Sequence, residues 1–251
     1  MTLLRIDIVT IFPGMFAALQ ESIVRRAVEA GRVEICIADL REFTADKHRS
    51  TDDYPYGGGP GMVMRPEPFF RAVKHLRITD SRQGPVILLC PQGKPFTQKQ
   101  AQKLATFERF ILLCGHYEGI DERVREKLVD EELSLGDFVL TGGEIPALAV
   151  TDAVVRLLPG VLPTASVTEE TFCNGLLEYP QYTRPAEFDG LTVPEILMSG
   201  NHERIRRWRR EQSLLRTLRR RPELLKKLAL APPERELLLH AAEREGLEVE
   251  L

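Results

Sequence analysis

The sequence has no apolar run approaching the roughly 20 residues of a membrane-spanning helix. Met1 to Ile11 also lacks the charged start, apolar centre and small-residue cleavage site of a secretory signal, so a cytoplasmic protein is expected. Cysteine is scarce: Cys36, Cys90, Cys114 and Cys173 stand alone, without paired metal-ligand spacing, which argues against a disulfide scaffold or a zinc site. The first three lie in the strand-like runs VEICIA, VILLC and FILLC and read as buried small hydrophobes. His48 sits among Asp46, Lys47, Arg49, Asp52 and Asp53 with no second His or Cys at ligand spacing, so no metal is expected there. There is no GxGxxG followed by a ribose-binding acid, and Gly93-Lys94 is followed by Pro95 where a P-loop needs Ser or Thr. An ordinary NAD or ATP site is therefore unsupported. Internal repeats and low-complexity tracts are absent as well.

What is present is a chain of 251 residues, 43% hydrophobic, long enough to bury one large core or two smaller ones. The net charge of −3 conceals a strong asymmetry. Arg204 to Lys227 holds eleven Lys or Arg against Glu211 and Glu223, a net +9, which leaves −12 on the remainder. One concentrated basic segment on an acidic body points to a localised polyanion contact.

Strand-like runs occur at Leu4 to Ile11, Val33 to Ala38, Pro85 to Cys90, Arg109 to Cys114 and Asp137 to Leu140. Helical spacing marks Met15 to Ala30, Glu67 to Leu76, Thr97 to Phe107, Asp121 to Asp130 and Ala147 to Leu158. This alternation predicts an α/β fold with a mostly parallel sheet covered on both faces. Pro159 to Gly175 loses periodicity and gathers Pro, Gly, Ser and Thr, as a linker does. Beyond it no strong strand signal follows, and Asn201 to Arg221 reads as a helix with Asn201 as N-cap and Pro222 closing it.

Three glycine-rich turns follow three of the strand runs: Pro91-Gln92-Gly93, Gly115 to Gly119, and Thr141-Gly142-Gly143-Glu144. The middle one, in LCGHYEGIDERV, places Tyr117 and Glu118 between two glycines whose backbone angles admit close approach of a ligand. Each turn alone could be a purely structural βα connection. Together they should meet at the carboxyl edge of a parallel sheet, where such folds bind ligands, and the missing phosphate motifs favour a nucleoside without a phosphate cluster. PYGGGPGM, Pro55 to Met62, is the densest glycine segment and reads either as a structured loop or as a surface approached closely by a base or backbone. On a helical wheel, Arg206, Arg209, Arg210, Arg216 and Arg220 share an arc of roughly 120°, with Trp208, Leu214, Leu215 and Leu218 opposite. Few acids balance these arginines, which suit bidentate contacts with nucleic-acid phosphates.

PYGGGPGM, LCGHYEGIDERV, LGDFVLTGGE, LPGVL, YTRP and SGNHERIRRWR occur in the order and approximate spacing of the bacterial tRNA (guanine-N1)-methyltransferase family, TrmD. The chain resembles that family over nearly its whole length. The resemblance implies transfer of the methyl group of S-adenosylmethionine to N1 of guanosine at tRNA position 37, which maintains the reading frame. It also implies a homodimer of the SPOUT class with a deep trefoil knot and an active site shared between subunits. The corresponding division is a cofactor-binding and catalytic domain over 1–160, a linker over 161–175 and a smaller helical tRNA-binding domain over 176–251. A knot is outside the usual connection rules and could not be read from periodicity.

By the same resemblance the cofactor cradle falls on Leu89, Pro91 and Gly93; on Gly115, Tyr117, Glu118 and Gly119; and on Leu135, Gly136, Asp137, Phe138, Val139 and Leu140 with Gly142, Gly143 and Pro146. Arg156 matches the family's arginine that steadies charge at guanine O6, although an i,i+4 pair with Asp152 is the plainer reading. The family's base is an Asp in a TEDSF pattern, whereas this chain has TEETF, which puts Glu170 at that position and Glu169 beside it. Ser199, Gly200, Asn201, His202, Arg206, Arg209 and Arg210 are implied in tRNA contact, the tRNA carrying guanosine at positions 36 and 37. The resemblance leaves room for Mg²⁺, but no ligand cluster predicts a protein-held metal. A catalytically silent RNA-binding module of the same fold, or a nucleotide sensor, stays open on the residues alone.

Overall fold

A computed structural model describes residues 3–163 and 170–248. The chain divides into two compact units, Met1–Pro163 and Thr164–Leu251. The first runs β1 (Leu4–Thr10), a 3-10 helix (Pro13–Gln20), α1 (Ser22–Glu29), β2 (Val33–Asp39), the short strands β3 (Asp52–Asp53) and β4 (Val63–Met64), and α2 (Pro66–Thr79). It continues with β5 (Val86–Pro95), α3 (Gln98–Leu104), β6 (Arg109–Cys114), α4 (Glu122–Leu128), β7 (Glu131–Ser134) and α5 (Glu144–Val155). The central sheet has five strands in the order β2-β1-β6-β5-β7, every neighbouring pair parallel.

Strand alternation builds a core on each face. Ile6 and Ile8 of β1, Phe110 and Leu112 of β6, and Ile87 and Leu89 of β5 pack on one face with Ala101 and Leu104 of α3 and Val150 and Val154 of α5. Val9, Ile111, Leu113, Val86 and Leu88 point the other way, against Phe69, Val73 and Leu76 of α2 and Val124 of α4. Each fully buried Leu, Ile or Phe contributes about 1.5–3 kcal/mol relative to an exposed one, so both layers matter to stability.

Two polar residues interrupt these faces at the amino end of the sheet. Arg109 and Asp7 are both fully buried and joined at 2.7 Å. The Arg109 guanidinium also donates to the carbonyls of Leu76 (2.7 Å) and Asp80 (2.8 Å), so it caps the carboxyl end of α2 as well as pairing across the sheet. Arg5 donates to Asp7 from outside at 2.9 Å, and Arg82 ties Asp80 to Glu34.

Three sequence expectations need correction in this unit. Met15 to Ala30 is not one helix: the chain is extended at Glu21 (φ −124°), which separates the 3-10 helix from α1. Asp137 to Leu140 is not a strand. The fifth strand is Glu131–Ser134, whose glutamates hid it, and Phe138 and Val139 are exposed on the loop after it. The acidic strand tolerates its charges because Glu131 pairs with Lys103 and Glu132 with Arg125. Nor are all three strand cysteines buried; only Cys114 is, with Cys36 and Cys90 half-buried.

In the second unit a two-stranded hairpin, β8 (Glu187–Phe188) and β9 (Leu191–Thr192), precedes α6 (Glu195–Met198), α7 (His202–Arg220), a 3-10 helix (Pro222–Lys227) and α8 (Pro232–Glu245). The hairpin is too short to have left a strand signal. The Asn201 side chain caps α7 by accepting from the Arg204 amide at 3.1 Å, and Pro222 opens the next element. Leu176, Leu214, Leu218, Leu225 and Leu238 form this unit's own core.

Removing one partner of a buried ion pair leaves the other charge uncompensated. Asp7→Ala is therefore expected to lower the unfolding free energy by about 3–5 kcal/mol, read from urea denaturation. A loss under about 1 kcal/mol, the size typical of a surface pair, would contradict the assignment of the Arg109–Asp7 pair as a structural anchor.

Candidate functional site

Because the five strands are parallel, their carboxyl ends share one edge, where the second and third glycine turns meet; Pro91-Gln92-Gly93 is not a turn after β5 but lies within it, at a register shift against β7 between Leu89 and Lys94. These segments enclose a cavity of about 310 Å³ lined from Leu88 to Gln92, from Gly115 to Ile120, from Leu133 to Leu135 and from Phe138 to Gly143, with Arg125 and Pro146. Of the sequence-derived cradle residues, Leu89, Pro91, Gly115, Tyr117, Glu118, Gly119, Leu135, Phe138, Val139, Leu140, Gly142, Gly143 and Pro146 line it. Gly93, Gly136 and Asp137 do not. Gly93 instead serves the sheet, since a Cβ there would lie 2.5 Å from the Leu133 amide nitrogen and glycine lets the end of β5 pass against β7.

The middle turn is built differently from the sequence expectation. Gly119 is left-handed (φ +127°) as foreseen, but Gly115 is not; Tyr117 takes the second positive φ, +59°. Gly115 is small for another reason, since its Cβ would approach the Ile120 side chain at 3.2 Å. Tyr117 is held in that conformation by its surroundings: the Gly119 amide donates to the His116 carbonyl (3.1 Å), and the Glu118 amide donates to the Met62 carbonyl (3.0 Å). The PYGGGPGM loop is thus docked on this turn. Its Gly61 (φ +77°) leaves room for the Glu118 carboxylate, which a Cβ would meet at 2.4 Å.

The third turn is pressed onto the end of β6. The Gly143 amide donates to the Gly115 carbonyl (2.8 Å), and His116 and Gly142 pair as an isolated antiparallel bridge. A Cβ at Gly143 would fall 2.7 Å from the Cys114 Cα, and one at Gly142 would meet Glu144 Oε2 at 2.3 Å and the His116 ring at 2.6 Å. Glu144, fully buried at the start of α5, accepts from Thr10 Oγ1 at 2.8 Å, and that oxygen accepts from the Phe12 amide at 2.8 Å. A carboxylate at a helix amino end is favourably placed against the helix dipole.

Several lining residues escaped sequence reasoning. The His116 ring stands edge-on to Phe12 and to Tyr117, each at 5.0 Å, and its buried Nδ1 has no hydrogen-bond partner among the described residues. Cys90 donates to Glu132 at 2.9 Å, and burial together with that carboxylate pushes its thiol pKa up, so it is a neutral wall group. Arg125 is the one cation lining the cavity among the described residues, and Glu132 and Glu122 already pair with it. The helical spacing of Asp121 to Asp130 gave no hint that Arg125 turns inward. With no uncommitted cationic cluster, the cavity suits a largely apolar ligand read by backbone groups rather than a polyphosphate.

The remaining sequence candidates lie elsewhere. Arg156 is the half-buried carboxyl cap of α5, its amide donating to the Asp152 carbonyl at 3.2 Å. Glu170 is half-buried in the second unit, whereas Glu169 lies outside the described residues. On α7 the wheel needs correction. Ser213 and Thr217 sit within the arginine arc yet are buried, and Thr217 Oγ1 accepts from the Leu177 amide at 2.9 Å, so the chain around Leu177 covers that arc. Arg210 is paired with Glu234 at 2.7 Å and Arg209 stacks on Tyr179, while Ser199, Gly200, Asn201, His202 and Arg206 are exposed. Among the described residues no group of three or more His, Cys, Asp or Glu could hold a metal ion, and no helix is long and apolar enough to cross a membrane.

The fold and site define a parallel α/β protein with a glycine-walled cavity at the carboxyl edge of its sheet, and among the described residues that cavity holds no uncommitted cationic cluster. The family model described as tRNA (Guanine-1)-methyltransferase TrmD matches residues 4–227, and the chain belongs to that family. A relative in Pelotomaculum thermopropionicum, named tRNA (guanine-N(1)-)-methyltransferase, is 60% identical over 94% of this chain and 95% of its own. Relatives of the same name in Moorella thermoacetica and Geobacillus kaustophilus are 56% identical over 97% of this chain and 98% of theirs, and 54% identical over 94% and 97%.

The close approach at Gly143 makes a direct prediction. Gly143→Ala should cost about 1–3 kcal/mol through overpacking against Cys114, whereas Gly14→Ala, with nothing within 4 Å of a Cβ, should shift stability little. Equal urea midpoints for the two variants would refute the packing argument.

Proposed function

We propose that this protein is an S-adenosylmethionine-dependent methyltransferase acting on N1 of guanosine 37 of tRNAs that carry guanosine at position 36. The family membership carries the reading. The cavity supports it: S-adenosylmethionine is a nucleoside with a sulfonium and no phosphate, and the glycine turns offer backbone amides and carbonyls between apolar walls. Leu89, Pro91, Gly115, Tyr117, Glu118, Gly119, Leu135, Phe138, Val139, Leu140, Gly142, Gly143 and Pro146 would hold it. Gly93 and Gly136, with Asp137 beside it, would shape the segments that do so. When bound, the cofactor supplies an electrophilic methyl group.

The chain's own residues must then prepare the acceptor. Guanine N1 carries a proton and is a poor nucleophile until it leaves, so a carboxylate is needed to take it, and Glu170 is the proposed base. As the proton departs, negative charge gathers on O6, and the fixed cation of Arg156 would stabilise it. Glu170 keeps the carboxylate of the family's usual Asp with one more methylene, and the loop that carries it must compensate for the added length.

The other parts of the reading are likewise ours: a cytoplasmic homodimer with an active site shared between subunits, a deep trefoil knot in the first unit, and a helical tRNA-binding second unit joined through the linker over 161–175. The knot is supported by the family membership. The catalytically silent alternative is disfavoured by the family's consistent naming as methyltransferases.

The deciding experiment incubates the protein with labelled S-adenosylmethionine and a tRNA transcript bearing guanosine at positions 36 and 37. Label is expected in N1-methylguanosine. Glu170→Gln should lower kcat by roughly a hundredfold or more while calorimetry shows unchanged cofactor affinity; wild-type turnover would remove Glu170 as the base. The tRNA dissociation constant should rise more than tenfold between about 50 and 200 mM salt, and a flat response would remove the arginine helix from the interface.

A further inference from the structure

The wall of the cofactor cavity carries a cation that neither the backbone cradle nor the proton transfer uses. Arg125 of α4 lines the cavity beside Cys90, with its guanidinium 3.7 Å from the Cys90 sulfur and its side chain only 14% exposed. Among the described residues, the one other Lys, Arg, Asp or Glu lining the space is Glu118. Glu132 of β7 does not line the cavity itself, but it pairs with Arg125 and accepts from the Cys90 thiol at 2.9 Å. Glu122 adds a contact at 3.4 Å from a largely exposed position.

The charge of that wall matters because of what methyl transfer does to the ligand. S-adenosylmethionine carries a positive sulfonium; when the methyl group leaves for guanine N1, the sulfur keeps the bonding pair and the product holds a neutral thioether in the same place. The two ligands differ by one methyl group and one unit of charge, and their amino and carboxylate groups are the same. A cavity of about 310 Å³ keeps any bound atom within roughly 10 Å of its wall. At that range, in a partly open site, one unpaired charge changes the affinity for another by about fivefold. An uncompensated Arg125 would therefore repel the sulfonium and spare the thioether. Held by Glu132, it enters the wall as half of a neutral pair.

We infer that the Arg125–Glu132 pair sets the discrimination between the methyl-bearing cofactor and its demethylated product, with Glu132 keeping the cavity open to a sulfonium. This rests on the S-adenosylmethionine reading above. Glu132 acts through Arg125, by cancelling its field, and Glu122 is too exposed to replace it. Removing either partner then acts in opposite directions, which a loss of packing does not do. Glu132→Gln leaves the cation and favours the product. Arg125→Met leaves the carboxylate and favours the cofactor, and the double variant restores a neutral wall.

The test is calorimetry at about 50 mM salt, where screening is weak, on the wild type, the two single variants and the double variant. The probes are S-adenosylmethionine, S-adenosylhomocysteine and sinefungin, whose ammonium group replaces the sulfonium. Glu132 is 31% exposed on the edge strand and glutamine keeps its shape, so folding is expected to survive, with urea denaturation as the check. The ratio of the product's Kd to the cofactor's Kd should fall about fivefold in Glu132→Gln and rise about fivefold in Arg125→Met. It should return to within about twofold of wild type in the double variant, and sinefungin should follow the cofactor throughout. Raising the salt should shrink both shifts. Shifts of the same sign in the two single variants, an unmoved ratio in either, or sinefungin following the product would each overturn the inference and leave the pair a packing element. Those outcomes leave the cofactor reading intact, because the wild type still binds both ligands. A wild type that binds neither would overturn the functional reading and this inference with it.

Discussion

The arrangement of the cavity depends on one backbone contact: the turn before α5 lies directly on the end of β6. The Gly143 amide reaches the Gly115 carbonyl at 2.8 Å, and no side chain fits at Gly142 or Gly143 without striking Glu144, His116 or Cys114. That contact brings the third glycine turn against the second. It also fixes the start of α5, where buried Glu144 is bonded to Thr10 from the end of β1. Backbone polar groups of the second and third turns are thereby held beside β5 on a short perimeter around apolar walls, which is what a ligand recognised by amides and carbonyls requires.

The opposite edge of the sheet answers a different demand. There Arg109, Asp7, Arg5, Asp80, Arg82 and Glu34 form a connected ionic network that ties β1, β2 and β6 to the end of α2. Burial of such a group is costly unless its polar atoms are answered, and Arg109 answers its own with a carboxylate and three backbone carbonyls. The sheet is therefore stiffened at its amino edge by charge and left to glycine at its carboxyl edge. This division keeps binding groups on turns while their positions are set by a rigid core.

Most of the first unit was legible because its strands are short apolar runs and its helices carry clear spacing. The exceptions have identifiable causes. Glu131–Ser134 left no strand signal because its two glutamates are neutralised by Lys103 and Arg125 from other elements, which no local window contains. Asp137 to Leu140 looked like a strand because its apolar residues serve the lip of the cavity instead of the core. Tyr117 was read as a ligand group between two permissive glycines, yet it takes one of the positive φ angles itself. The arginine arc of α7 was read as a free face, but a wheel cannot show the chain that covers Ser213 and Thr217, nor the Glu234 that claims Arg210.

The sequence by itself determined the alternation of strands and helices, the second and third glycine turns, the lack of phosphate-binding motifs, the concentrated basic helix and, through its motifs, the family. Those are properties of neighbouring residues, where periodicity and turn chemistry act over a few positions. Only the tertiary structure decided which glycines serve turn geometry and which serve backbone contact, and that Arg125, Cys90 and His116 join the cavity wall. It also decided that Arg209 stacks on Tyr179 while its buried Nε has no hydrogen-bond partner among the described residues. These outcomes depend on groups far apart in the chain meeting at distances near 3 Å, and a sequence specifies such meetings only through the fold as a whole.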